Sequence, residues 1–392
     1  MGGLFIFLDL FNYYWLNLEQ YIPEALFYLF LLCFVVQMGF LLIQQRRLAV
    51  YRLPDQDLQA VDLPISVIIS ARNEAQNIPK FLPAILNQDY PNFEVVVVND
   101  CSVDNTPQIL LEMSKNYPHL KLVTVIEHPR FKTGKKFALT MGIKAAANEH
   151  LLFTDADCAP ASPNWIARMA ANFTGDTEIV LGYSPYIKSS GFINAFTRFE
   201  TLRTGINYLS ATIGRNAYMG IGRNLAYTKS LFFRHKGFAS HLHILAGDDD
   251  LFVNRNATAK NTAIEIHSDA FTFSESKQSL SSYYRQKKRH MGVGGLYKNK
   301  HRRMLSLEAI TGFLLYITLS FCIFYQKQPY IFIAAGAYLL RLAVQIIVYH
   351  RSAKILTGKS LVWLLPIYDL LYNVYLIVFG LIGTLIKTTR WK

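Results

Sequence analysis

Two carboxylates one residue apart, Asp155 and Asp157, stand at the end of an apolar run, Leu151-Leu152-Phe153-Thr154. An Asp-x-Asp ending a buried strand puts two hard oxygen donors at the lip of an α/β sheet, where ligands bind in open sheets. It is also how proteins hold Mg²⁺ or Mn²⁺ against a phosphate: few carboxylates, with the substrate supplying the other oxygens. Alone the pair is a weak signal, since an acidic turn capping a helix has the same letters. More acids follow in Gly247-Asp248-Asp249-Asp250-Leu251. Three adjacent carboxylates repel, so one with a raised pKa can serve as a base. Lys132-Thr133-Gly134-Lys135-Lys136 opens a helix and turns lysines and free backbone N–H groups toward an anion such as a diphosphate. A solvated face is the commoner explanation of such lysines. The last group, Tyr283-Tyr284-Arg285-Gln286-Lys287-Lys288-Arg289-His290, is in the main a juxtamembrane basic patch.

The elements that must position these groups lie in a chain of 392 residues, 52% of them hydrophobic. Apolar residues concentrate near both ends, and the middle has the character of a soluble α/β protein. Lys plus Arg number 40 against 27 acids, a formal charge of +13. Much of that excess sits beside apolar runs, at Arg46-Arg47 and at Lys298 to Arg303, which favours the positive-inside rule over nucleic acid. No aromatic–basic interleaving of the RNA-binding type is present. Cys33, Cys101, Cys158 and Cys322 lack paired spacing, so neither a disulfide framework nor a zinc site is expected.

Residues 1–22 are apolar and aromatic but interrupted by polar residues, and are expected to lie at an interface. Ala25 to Ile43 is long enough to span a bilayer. After a linker at 51–63, buried strands are expected at 65–70, 93–98, 120–126 and 150–154. Helices to about Gln88, from Asp104 to Asn116 and from Lys135 to Ala147 lie between them. This alternation argues for a mostly parallel, doubly wound sheet. Phe192, Phe196, Phe199, Leu202 and Ile206 make one apolar helical face, suited equally to a membrane surface or to a core. Further spans are expected at 305–325, 330–349 and 361–386. Within them Arg341 and Asp369 are expensive, and are expected to pair, face protein or mark an acceptor path. Four single crossings place 46–304 in the cytoplasm but leave the basic tail 387–392 outside, against the charge rule. A hairpin or re-entrant last run, which contains Pro366, is the alternative. The chain thus divides into an interfacial segment and span (1–47), a cytoplasmic domain (48–303) and about three C-terminal spans (304–392).

In order and spacing, these features resemble the membrane-bound family 2 glycosyltransferases, the group that includes cellulose, chitin and hyaluronan synthases. The resemblance covers about residues 64–300. It is carried by Val67-Ile68-Ile69 with Ala71-Arg72-Asn73-Glu74, Asn99-Asp100, Gly134-Lys135, Asp155-Ala156-Asp157, Gly222-Arg223-Asn224-Leu225-Ala226, Gly247-Asp248-Asp249 and Gln286-x-x-Arg289. It implies a GT-A fold and inverting transfer from a nucleotide-sugar, with a UDP-sugar the expected donor. By the same resemblance Ser70 and Asp100 contact the base, with Glu74 and Lys135 close by. Asp155 and Asp157 hold the divalent metal on the diphosphate, and Asp249 is the base. Gln286 and Arg289 steady the diphosphate, and Asn224 lies on the acceptor side.

His290 stands where the family usually has a tryptophan that stacks on the acceptor sugar, so single addition to a lipid-linked or glycan acceptor is expected over processive synthesis. Asn99 and Cys101 replace a usual acid and glycine. The expected setting is an integral membrane protein of the cell inner membrane, in contact with its lipids, with the catalytic domain in the cytoplasm. A processive synthase coupled to export and an inactive nucleotide-binding scaffold are the competing readings. A nucleotidyltransferase is a fourth, lacking a glycine-rich phosphate loop near the first strand.

Overall fold

The computed structural model describes residues 2–54, 62–126, 134–242, 244, 246–291, 293–325 and 328–385, with side chains except at 2–20, 288–291 and 381–385. Among the described residues nine strands form: β1 (Ile65–Ala71), β2 (Phe93–Asp100), β3 (Leu120–Val125), β4 (His150–Asp155), β5 (Cys158–Pro160), β6 (Ile179–Leu181), β7 (Leu225–Thr228), β8 (Thr262–Ile264) and β9 (Thr272–Ser274). Seven of them make one sheet in the order β3-β2-β1-β4-β7-β6-β8, and β5 pairs with β9. All neighbours in the large sheet are parallel except where β7 runs antiparallel to β4 and β6.

The physical reason for β1 and β2 is plain. Val67, Ile68, Ile69, Val95, Val96, Val97 and Val98 are all fully buried, as strands covered on both faces must be. The helix Lys135–Ala145 packs close above them because residue 142 is glycine. A Cβ there would lie 2.8 Å from Ile68 and 2.9 Å from Val98. Lys132 and Thr133, expected to open this helix, lie outside the described residues.

Among the described residues, four helical segments are long and apolar enough to cross a membrane: Tyr21–Ala49, Asn299–Tyr325, Tyr330–Ile355 and Lys359–Gly380. The first is part of a helix that begins at Gly2 and so runs on without a break from the residues expected to lie at an interface. A π-helical turn, Phe40–Gln45, interrupts its last part and buries Gln44 and Gln45. The basic tail 387–392 lies outside the described residues.

The helix Phe192–Ile213 answers the question its apolar face left open. It is buried on nearly every side, in one apolar cluster that runs from the sheet to the membrane helices. Phe199, Leu202 and Ile206 share that cluster with Ile68 and Phe153 of the sheet and with Tyr349, Leu356, Tyr368 and Tyr372 of the last two spans. A membrane-surface placement is thereby replaced by core packing.

Arg341 and Asp369 do pair. Arg341 Nη2 donates to Asp369 Oδ2 at 3.1 Å, and Arg203 of the buried helix donates to the other carboxylate oxygen. Tyr316 and Gln345 complete the shell of Asp369 at 2.7 and 2.9 Å. Glu308 balances the second arginine, 3.7 Å from Arg203. It also accepts from Asn207 and Gln45. Two arginines and two carboxylates therefore form one neutral polar knot where the spans meet the catalytic half.

Candidate functional site

The C-terminal ends of β1, β2 and β4 meet at one edge of the sheet. The loops after β1 and β2 brace each other there. Asn73 and Cys101 both take left-handed backbone, with φ 57° and 54°. The Asn73 N–H donates to Ser102 Oγ at 3.0 Å, and its side chain accepts from the Val103 N–H at 2.9 Å. Asp104 accepts from Ala75 and Thr106, as expected of the acid at that helix start. Asp100 ends β2, 2% exposed, with Arg72 3.9 Å from one oxygen and no partner for the other among the described residues. Burial pushes its carboxyl up, and Arg72 opposes that. Ser70 sits one strand over, in register with Asp155. Glu74 accepts from Asn77 at 2.5 Å, and its own N–H donates to Thr106.

Acids from distant parts of the chain converge on Lys135. Its ammonium lies 2.9 Å from Asp155 Oδ1 and 3.0 Å from Asp248 Oδ2. Burial works against that charge, but Asp155, Asp248 and Asp249 outweigh it and hold the lysine well above its ordinary pKa. The same ammonium reverses the burial effect on Asp248 and keeps its carboxyl low. Lys136 does not face the anion site as the sequence suggested. Its buried Nζ donates to the carbonyls of His241 and Ile244, each at 2.8 Å, and so fixes the turn that leads to the acids.

Asp249 caps the helix Asp250–Asn256. One oxygen accepts from the Asp250 N–H and the other from the Gly222 N–H, both at 2.7 Å. Burial, then Asp248, push its carboxyl up to about 6. A small pocket opens beside it, lined by Lys135, Phe153, Asp155, Gly222 and Asp248. A Cβ on residue 222 would lie 3.2 Å from Asp249 Oδ2, tighter than ordinary contact. Gly222→Ala should therefore displace this carboxylate and lower turnover about tenfold while the melting temperature holds, because a sub-ångström shift of a reacting group is costly in rate and cheap in stability. Steady-state kinetics beside a thermal melt decides it.

Asp157 lies between β4 and β5. Burial and Asp155 raise its carboxyl, with Arg223 and Lys277 opposing. No salt-bridge partner lies within 4 Å of it among the described residues. Arg223 was quoted in the sequence only as part of a motif, and has a larger presence here. β7 runs against its neighbours, so the residues before it emerge at the edge where the parallel strands end. The Arg223 carbonyl accepts from Thr154 and Thr272, at 3.0 and 2.8 Å. Its guanidinium stacks over Tyr186 at 4.2 Å and donates one bond to Ser184, leaving a buried Nη1 without a partner among the described residues. Gln286 reaches Tyr186 Oη at 3.5 Å, bringing the late motif to the same side.

Asn224, expected on the acceptor side, turns its side chain into the core. It is fully buried, donates to the carbonyls of Tyr183 and Ala270, and accepts from the Trp165 indole. The Asn224 N–H donates to the Ile221 carbonyl at 2.9 Å, closing a turn in which the motif's arginine faces the acids and its asparagine faces the core. The helix Leu280–Met291 includes Arg289 and His290, whose side chains lie outside the described residues.

Residues 66–236 match the family described as Glycosyl transferase family 2. The chain is 28% identical over 264 residues to Glycosyltransferase AglE of Haloferax volcanii, covering 64% of this chain and 81% of that protein. It is 30% identical over 159 residues to a poly-beta-1,6-N-acetyl-D-glucosamine synthase of Staphylococcus epidermidis, a match spanning 37% of each chain. Among solved structures it is similar to the mannosyltransferase PcManGT from Pyrobaculum calidifontis, in complex with GDP-Man and Mn²⁺. That likeness has TM-score 0.57 at 18% identity and covers 89% of this chain and 99% of the other. With a mostly parallel sheet, acids gathered at its carboxyl edge and, among the described residues, four helices long and apolar enough to cross a membrane, the chain carries a Glycosyl transferase family 2 domain of GT-A fold over residues 66–236.

Proposed function

We propose that the protein moves a sugar, with inversion, from a nucleotide-sugar to a lipid-linked or glycan acceptor at the cytoplasmic membrane face. The observation that carries this reading is the convergence of Asp155, Asp248 and Asp249 around Lys135 beside Gly222. Residues 48–303 make the catalytic unit. Ser70 and Asp100 take the base, and the unpartnered Asp100 oxygen suits a nucleobase N–H. Lys135 and Arg223 supply positive charge to a diphosphate. Arg46, Arg47 and the run Lys298 to Arg303 flank the spans on the side of this unit, which supports the cytoplasmic face.

In the transfer, the acceptor oxygen attacks the anomeric carbon as its proton passes to the Asp249 carboxylate. The bond from that carbon to the phosphate oxygen breaks, and its electron pair leaves with the nucleoside diphosphate. Asp249 is positioned for this, since two backbone N–H groups fix its carboxylate and burial raises its basicity. Gln286 and Arg289 steady the leaving group from the late helix.

The donor set also fits a divalent cation. Asp157 and Asp155 offer hard oxygens, the half-buried Asp157 has no salt bridge of its own among the described residues, and a diphosphate would complete the shell of Mg²⁺ or Mn²⁺. When bound, such an ion offsets the charge growing on the diphosphate. The GDP-Man and Mn²⁺ bound in the mannosyltransferase support both the donor class and the metal.

The test is release of nucleoside diphosphate by the full-length protein in lipid nanodiscs, across a panel of UDP- and GDP-sugars, with Mn²⁺, Mg²⁺ or EDTA. Turnover of one donor with a lipid-linked acceptor is expected, and no release with any donor would overturn the reading. Asp157→Asn should lower metal-supported turnover by at least about 100-fold and weaken the response to added Mn²⁺, because charge stabilisation of a few kcal/mol is lost. An unchanged Mn²⁺ titration would remove Asp157 from the metal site.

A further inference from the structure

The helix Leu280–Met291 carries Gln286 and Arg289, yet apolar packing holds it weakly. Leu280 and Tyr284 are exposed, and Tyr283 is its one buried residue among those whose side chains are described. What ties it down is a carboxylate on another element. Glu200, 8% exposed, lies in the buried helix Phe192–Ile213. Its Oε2 accepts from Tyr283 Oη at 3.1 Å, and its Oε1 accepts from Lys287 Nζ at 2.6 Å. Tyr283 and Lys287 are four residues apart and so share one face of their helix. The same Oε1 also accepts from Tyr375 Oη at 2.8 Å, and Tyr375 belongs to the last membrane helix, Leu365–Leu385. Phe196, Tyr283 and Tyr375 pack their rings around this junction.

We propose that Glu200 is a positioning residue. It latches the late helix to the last membrane helix and thereby sets where Gln286 and Arg289 stand over the reaction centre. The proposal rests on the role given to those two residues above. Without the carboxylate, Lys287 loses its salt bridge and two tyrosine hydroxyls lose their acceptor. A helix with little apolar burial then leaves its docked pose at small cost. Donor affinity should be spared, because Ser70, Asp100 and Lys135 lie on other elements and make no bond to Glu200.

The experiment compares Glu200→Gln and Lys287→Met with wild type in full-length protein in nanodiscs. It measures kcat and KM for the UDP- or GDP-sugar that turns over, and hydrogen exchange across 280–291. The latch variants should lose at least about tenfold in kcat with donor KM within about twofold, since small misplacements of catalytic groups are costly in rate. Exchange should quicken in 280–291 and stay unchanged in β1 and β2. Gln286→Ala and Arg289→Ala should lose kcat without the added exchange. If those two lose kcat while the latch variants keep it, the latch is overturned and the role of the late motif stands. If Gln286→Ala and Arg289→Ala turn over normally, that role fails. Exchange still judges the latch in that case: protection undiminished in Glu200→Gln overturns it.

Discussion

Asp249→Asn is expected to cut turnover by about 10²- to 10⁴-fold, the usual contribution of a general base. Nucleoside diphosphate binding should survive, because Asp100, Lys135 and Asp157 keep their places. The pH profile gives a second check. Burial and Asp248 push the Asp249 carboxyl up to about 6, while Lys135 opposes. Asp250 is raised further, to about 8, by burial and Asp249. A base works deprotonated, so wild-type turnover should climb as pH rises through about 6 and then level. The stability effect has the opposite sign. A carboxyl whose folded pKa exceeds its unfolded value of about 3.9 binds its proton more tightly when folded. Its contribution is complete below that value and is lost as pH rises through about 6. Wild type should therefore lose melting temperature across that window, and the Asn variant should show a flatter slope. Wild-type kinetics in Asp249→Asn would refute the assignment outright.

The second large effect is on stability. Asp369→Ala should destabilise the protein by about 3–5 kcal/mol, because removing one partner of a buried charge pair strands the rest. Here Arg341, 1% exposed, loses its carboxylate, Arg203 at 2% exposure keeps only the more distant Glu308, and Tyr316 and Gln345 lose an acceptor. The knot is neutral only as a set. Arg341→Met combined with Asp369→Asn removes one charge of each sign and leaves Arg203 with Glu308, 3.7 Å away. That double variant should recover much of the loss. Thermal melts in one detergent at one protein concentration measure both. A double variant no better than Asp369→Ala would show that charge balance is not what the knot supplies.

The parallel half of the sheet was legible because β1, β2 and β4 are unbroken β-branched or apolar runs, the mark of strands covered on both faces. β6, β8 and β9 are three residues each, too short for any period to declare itself. With them went the reversal at β7, and so the approach of Arg223 to Asp157. The inward turn of Asn224 was hidden for a related reason: residues 222–224 form a tight turn before β7, and its contacts with Tyr183, Ala270 and Trp165, not any period in the sequence, set which way that side chain goes. The acids were legible as carboxylates at strand and helix ends. Their union through Lys135 depends on a contact between residues 135 and 248, which no local pattern encodes. The buried helix was ambiguous because its second cover is the end of the spans nearest the sheet, and a helical wheel shows nothing of what lies outside the helix.

That helix has a practical meaning. Phe199, Leu202 and Ile206 meet the sheet's cluster and Tyr349, Leu356 and Tyr368 of the spans in one continuous interior. A shortened version ending before the C-terminal spans would bare greasy rings to water and strand Arg203 without either counter-ion. The enzymatic half and its anchors are thus a single folding unit, and lipid or detergent acts as a structural ingredient for both.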